Sequence, residues 1–148
     1  MNIQTKYNGE VIIGETDIIA FEKGIPAFEE EKEFIILPLG EGVPYYAMQS
    51  IKTPSLAFVI ADVFSLFPTY DIELSQHEVE ELKIQHPTDI KVFTILTIHE
   101  PFEKSTANLQ APIIVNTKER EGKQVVLSNV PYTLKHSIAE VLCEKQEV

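Results

Sequence analysis

Asn108-Leu109-Gln110-Ala111-Pro112-Ile113-Ile114-Val115-Asn116 is the stretch from which the fold can be read. Its centre, Ile113-Ile114-Val115, is a β-branched run, and such side chains fit a pleated, half-buried surface. Pro112 has no N–H to give a neighbouring strand, so it marks the strand's first position or an edge. Asn108 and Asn116 can bond their own backbone and so favour a turn at each end. The stretch reads as a short core strand with marked ends. It carries no chemistry of its own.

On its N-terminal side, residues 90–98 form the longest strand candidate. Ile90, Val92, Thr94, Leu96 and Ile98 point one way, Phe93 and Ile95 the other, and both sides are mostly apolar. A strand of that kind runs through the middle of a sheet. On its C-terminal side, Lys118-Glu119-Arg120-Glu121-Gly122-Lys123 reads as a charged hairpin loop, with residues 124–127 returning as the partner strand. Earlier strands are expected at 3–7, ending at the Asn8-Gly9 turn, and at 11–13, 17–21, 34–37, 45–50 and 56–61. They are punctuated by Gly, Pro and Asn at regular spacing, which suits a sandwich or barrel. One helix starts near Ser75. Ser75 with Glu78 makes a capping box, Leu74 and Val79 stand at staple positions, and the helix runs about three turns to a stop at Pro87. Leu134, Ile138, Val141 and Leu142 lie at helical spacing, but Pro131 and a polar tail leave that segment's type open. The expectation is a mainly β protein: a small antiparallel β-barrel-like single domain over residues 1–148, with one or two short helices.

The chain of 148 residues carries a net charge of −11. That sign argues against direct nucleic-acid binding and against an anionic membrane surface, since both need Lys and Arg. It favours a basic protein partner, or simple solubility. Residues 1–74 hold twelve acids and four lysines, and Glu29, Glu30, Glu31 and Glu33 form the densest cluster, relieved only by Lys32. No N-terminal apolar run resembles a signal peptide and no run is long enough to cross a bilayer, so a cytoplasmic location is expected.

Catalytic chemistry is hard to find. Cys143, the single cysteine, lies among Glu140, Glu144 and Lys145, and negative neighbours raise rather than lower a thiol pKa. His77, His86, His99 and His136 show no metal-ligand spacing. Gly40-Glu41-Gly42 lacks the third glycine and the following helix of a phosphate loop. No enzyme activity, cofactor or metal is therefore expected. A different reading is a β-barrel enzyme or ligand-binding barrel whose pocket is assembled from distant residues.

Several phrases together resemble the FliW family of bacterial flagellar assembly factors. They are Phe21-Glu22-Lys23-Gly24-Ile25-Pro26-Ala27-Phe28, Phe34 with Leu37-Pro38-Leu39, and Met48-Gln49-Ser50 with Pro54, Leu56 and Phe58. Further on come Asp62, Phe64, Phe67-Pro68 with Tyr70, then residues 106–116, and Arg120 and Gly122 with Gln124-Val125-Val126-Leu127. Ile25 and Ala27 depart from the family's usual Gly-Leu-Pro-Gly-Phe turn. The resemblance implies a small non-enzymatic β-barrel-like domain with two protein partners. One is flagellin, held in the cytoplasm before export. The other is CsrA, a basic RNA-binding translational repressor that the free factor binds and antagonises. An acidic mimic acting on another basic nucleic-acid-binding protein is a further alternative.

Physics supplies the candidate contact residues. For the basic partner they are Glu29, Glu30, Glu31 and Glu33, followed by Glu78, Glu80 and Glu81 on the helix. For flagellin's amphipathic helices they are Phe64, Phe67 and Tyr70, in an aromatic segment broken by Pro68. The competing reading of that segment is that its rings close one end of the barrel.

Overall fold

The computed structural model describes residues 2–25, 28–68, 70–100, 104–127 and 135–138. Among them are β1 (Asn2–Gln4), β2 (Glu10–Ile12), β3 (Ile19–Ala20), β4 (Glu33–Pro38), β5 (Tyr45–Ser50) and β6 (Ala57–Asp62). There follow β7 (Ile90–Thr97), β8 (Thr106–Ala107), β9 (Ile113–Asn116), β10 (Glu121–Gln124) and β11 (His136–Ser137). Two short helices, α1 (Val63–Leu66) and α2 (Gln76–Glu81), stand between β6 and β7.

The chain closes a barrel of seven strands, β3-β4-β5-β6-β7-β9-β10. Neighbours from β3 to β7 are antiparallel, as are β7–β9 and β9–β10. The ring is sealed by one parallel contact, Glu121 of β10 against Ala20 of β3. Outside the ring, β1 and β2 form their own hairpin, while β8 and β11 extend the β7 border. Closing a sheet in this way removes the exposed edges that otherwise invite pairing with other chains.

The opening stretch is one of the last two ring members. All four residues of β9 are buried, and they pair with β7 on one side and β10 on the other. Pro112 stands just ahead of the strand, and its carbonyl accepts from the Val125 N–H at 2.9 Å. Asn108 Oδ1 accepts from the Ala111 N–H at 3.0 Å, and Asn116 Oδ1 from the N–H groups of Lys118 (3.0 Å) and Glu119 (3.1 Å). Both asparagines therefore set turns by bonding their own backbone.

The two faces of β7 serve two cores. Phe93 and Ile95 enter the cluster that fills the ring with Ile19, Phe34, Met48, Ile60 and Ile113. The seventh strand contributes a glycine: a Cβ on Gly122 would lie 2.6 Å from Cζ of buried Phe21. Ile90, Val92 and Leu96 face outward, where Val63, Leu66, Tyr70 and Leu82 from the α1–α2 region cover them. A third, smaller cluster seats the β1–β2 hairpin against Ile35. The alternation expected for residues 90–96 is thus present, while Ile98 is exposed.

Local departures have physical causes. The strand expected at 17–21 is only β3, because Glu15–Asp17 forms a 3-10 turn in which Asp17 Oδ2 accepts from the Gly14 N–H. The loop expected over 118–123 is shorter. Arg120 takes φ +56° and turns the chain, so β10 already begins at Glu121. The capping box at Ser75 and Glu78 forms, yet α2 spans six residues rather than three turns. Lys83 takes φ +56°, its N–H bonds Glu80 O, and the Ile84 N–H bonds Val79 O. That pair of bonds is a Schellman ending, so the helix stops before Pro87, which opens a 3-10 turn instead. At the C-terminus His136 and Ser137 pair with β8, and Ile138 is buried. Leu134, Val141, Leu142 and Cys143 lie outside the described residues.

Candidate functional site

The acidic segment is held by its glycine. Gly24 has φ +64°, and a Cβ there would sit 2.5 Å from the Glu29 carbonyl, so the chain can fold back on itself only without a side chain. Ile25 and Phe28 form an isolated bridge, and Phe28 stacks edge-on against Phe58 at 5.6 Å. This presents Glu29 and Glu30 to solvent, and Glu33 stands exposed at the start of β4. Glu31 differs from them. It accepts from Ser50 Oγ at 2.6 Å and Thr53 Oγ1 at 2.5 Å, and these two hydrogen bonds, Ser50's first, hold its carboxyl below the usual range. Glu31 thereby braces the β5–β6 loop.

The three helix acids also divide by role. Glu78 is occupied by the cap, its Oε2 accepting from the Ser75 N–H at 2.8 Å. Glu80 is exposed and takes a 3.3 Å bond from Gln76 Nε2. Glu81 lies between Lys123 (2.8 Å), Lys23 (3.0 Å) and His77 (3.1 Å). The Lys123 bond, then the Lys23 bond, lower its pKa to about 2. Beside it Lys83 pairs with Glu121 at 3.1 Å, which raises the lysine's pKa. The cavity inside this network is about 20 Å³, room for about one water. The network pins α2 to the barrel seam and neutralises that flank.

The aromatic segment is mostly core. Tyr70 is 4% exposed, and its hydroxyl donates to the Leu109 carbonyl at 2.6 Å. Phe67 is half-buried against the outer cluster. Only Phe64, of the three expected to form a groove, stands well out at 45% exposure, its ring edge-on to Tyr70 at 6.2 Å. Hydrogen bonding and burial commit Tyr70 and Phe67 to the layer covering β7, which leaves Phe64 as the exposed ring of the segment expected to form part of a groove.

Sequence reasoning missed the buried polar side chains. Gln49 is fully buried in β5; its Oε1 accepts from the Lys6 N–H at 2.9 Å, while Nε2 faces the carbonyls of Ser50, Thr53, Pro54 and Leu56. Asn116 Nδ2 donates to the Leu82 and Lys83 carbonyls at 2.8 and 3.2 Å, linking β9 to the end of α2. A Gln or Asn inside a run of apolar strand residues was the available signal, because buried amides are found where backbone groups need partners. Among the described residues, no three His, Cys, Asp or Glu side chains converge as a metal site. No helix among them is long and apolar enough to cross a membrane.

Fold and surface together define a class: a small closed β-barrel that carries exposed acids and isolated apolar side chains on its outside. The chain belongs to the FliW family, whose profile, FliW protein, matches residues 2–138. It is 51% identical over 138 residues to the flagellar assembly factor FliW of Geobacillus sp. (strain WCH70), covering 93% of this chain and 95% of that one. It is 51% identical over 143 residues to the flagellar assembly factor FliW of Bacillus subtilis (strain 168), covering 97% of this chain and 100% of that one. The crystal structure of the flagellar assembly factor FliW superposes with a TM-score of 0.87 at 46% identity, covering 93% of this chain and 96% of the other.

Proposed function

We propose that this protein binds flagellin in the cytoplasm and, when free of it, binds and antagonises CsrA, coupling flagellin synthesis to export. Family membership is the observation that carries the reading. The net charge of −11 supports the second partner, because a strongly acidic body steers toward a basic one and repels RNA phosphates beside it. The exposed carboxylates Glu29, Glu30 and Glu33, with Glu80 next, are the contact candidates. Glu31, Glu78 and Glu81 act through positioning, since their carboxylates are engaged within the chain.

Size exclusion of the protein with CsrA and with flagellin, singly and then together, tests the reading; no complex with either overturns it. Gel-shift titration of CsrA with RNA at two ionic strengths tests the field component. Charges are screened over about 10 Å at 0.1 M salt and about 3 Å at 1 M, so loss of RNA binding should be larger at low salt. Lysine at both Glu29 and Glu30 should weaken CsrA binding and leave flagellin binding nearly intact.

A further inference from the structure

Asn8 and Gly9 stand in the loop that joins β1 to β2. Of the chain's five asparagines, only Asn8 is followed by glycine. Thr5 clamps the pair from both ends. Its Oγ1 accepts from the Asn8 N–H at 2.9 Å, and its own N–H donates to the Gly9 carbonyl at 2.9 Å. The Gly9 N–H between these two bonds meets no acceptor among the described residues. Gly9 is exposed, has φ +68°, and nothing lies within 4 Å of where its Cβ would be. Its nitrogen is therefore free of hydrogen bonding, unshielded by a side chain and open to water.

The Asn8 side chain is lightly held. Nδ2 donates to the Pro38 carbonyl at 3.1 Å, while Oδ1 is shut away from solvent with no donor among the described residues. A buried acceptor left in that state carries an uncompensated desolvation cost, so little holds the amide where it is. The other described asparagines differ. Asn116 makes four hydrogen bonds, and the N–H of Thr117 after it is taken by the Asp89 carbonyl at 2.8 Å. Asn108 Oδ1 is bound by the Ala111 N–H, and Leu109 after it is buried. Asn2 precedes buried, β-branched Ile3 within β1.

We propose that Asn8 is a self-modification site, at which the Gly9 nitrogen converts the side-chain amide to a carboxylate with water as co-reactant. The Gly9 nitrogen, having given its proton to hydroxide, forms a bond to Asn8 Cγ. The adduct is protonated on Nδ2 and expels it as ammonia, which leaves a cyclic imide between Asn8 and Gly9. Water then adds to either imide carbonyl. Opening at Cγ yields aspartate; opening at the main-chain carbonyl yields isoaspartate, with the chain running through Cγ. The net change is uptake of one water and loss of one ammonia.

Both products add a negative charge to the −11 of the chain and take away the N–H that Pro38 accepted. Aspartate sets one carboxylate oxygen against that carbonyl and the other in a place with no donor. Isoaspartate lengthens the main chain inside the Thr5 clamp. Either way the β1–β2 hairpin loses a tie to the end of β4 and keeps the Lys6 N–H bond to Gln49 and the small cluster around Ile35. The conversion is a slow, irreversible loosening of the hairpin, and its chemistry is independent of any partner.

The test is incubation of the folded protein in heavy-oxygen water at mildly acidic and mildly alkaline pH, followed by proteolysis and mass spectrometry. Product should appear at Asn8, carry one heavy oxygen, and form faster at the higher pH, because the attacking nitrogen must lose its proton. A protein isoaspartyl methyltransferase with labelled S-adenosylmethionine should label part of it. Asn8→Gln keeps the amide but lengthens the side chain, and should give no product at this position while its melting curve stays close to native. Asn8→Asp should speed amide hydrogen exchange at Lys6 and in β1 and β2, with β4 and β5 unchanged. No product at Asn8, product only in the urea-unfolded chain, or equal conversion at Asn2, Asn108 or Asn116 would overturn the proposal. Hairpin exchange in Asn8→Asp equal to that of the native protein would overturn the loosening.

Discussion

Asn116→Ala tests whether β9 holds α2 in place. The native amide makes four hydrogen bonds: two to the carbonyls that end α2 and two from the turn that follows β9. A net hydrogen bond is worth about 1 kcal/mol, and a buried group left without a partner costs about 1–3 kcal/mol. The Lys118 and Glu119 residues are exposed, so their N–H groups can turn to water and lose about half that value. The Leu82 carbonyl lies under a residue 2% exposed and has no such recourse. The expected loss is about 3 kcal/mol out of a total of roughly 5–15 kcal/mol. With a urea slope of about 2 kcal/mol per molar, the midpoint should fall by about 1.5 M. Asn116→Asp separates the two halves of the amide. It keeps the acceptor for the turn but sets a carboxylate against two carbonyl oxygens, so it should be destabilised at pH 7 and recover as acid protonates it. A midpoint drop below about 0.5 M for the alanine variant would refute the account. So would an aspartate variant as stable as the native protein at pH 7.

Gly122→Ala should destabilise by about 1–3 kcal/mol through overpacking, because the new methyl meets Phe21, which is 1% exposed and cannot move aside. Gly42→Ala is the control: nothing lies within 4 Å of its Cβ, so only the φ of +71° costs, about 1–2 kcal/mol. Thermal melts in which Gly42→Ala is the worse of the two would contradict the packing account. The Glu81 pKa of about 2 lies below the ordinary 4.5, so its contribution is complete above about pH 4.5 and lost as pH falls toward 2. Denaturant titrations across that window should show native stability falling more steeply than that of Glu81→Gln; parallel curves would remove Glu81 from the network's role.

What the sequence disclosed and what it hid follow from the range of each interaction. The strand at β9 and the two-faced alternation of β7 were legible because side-chain period is a local property. The Ser75–Glu78 box was legible for the same reason, since both partners lie within one turn. The end of α2 was not: Lys83 in a left-handed conformation is no ordinary helix-stop residue, and carbonyls held by Asn116, over thirty residues away, help to keep it there. The candidate contact acids were legible only as acids. Whether each is exposed depends on Ser50 and Thr53 for Glu31, and on Lys23 and Lys123 for Glu81, and no local pattern announces such distant partners. The aromatic segment shows the limit from the other side. Phe67 and Tyr70 looked like a docking surface because their burial depends on Leu109 and the cover over β7.

The late position of β9 and β10 has a consequence for the chain as it is synthesised. β3 to β7 are complete by Thr97, yet the sheet they form has two open margins until residues 113–124 arrive to bridge them. On the ribosome, where neighbouring copies emerge close together, such margins are adhesive. Residues 1–97 already carry sixteen acids against six lysines. Nascent chains therefore repel one another during the interval in which their sheets are open, and the acidity of the sequence protects the fold before there is a folded surface for a partner to meet.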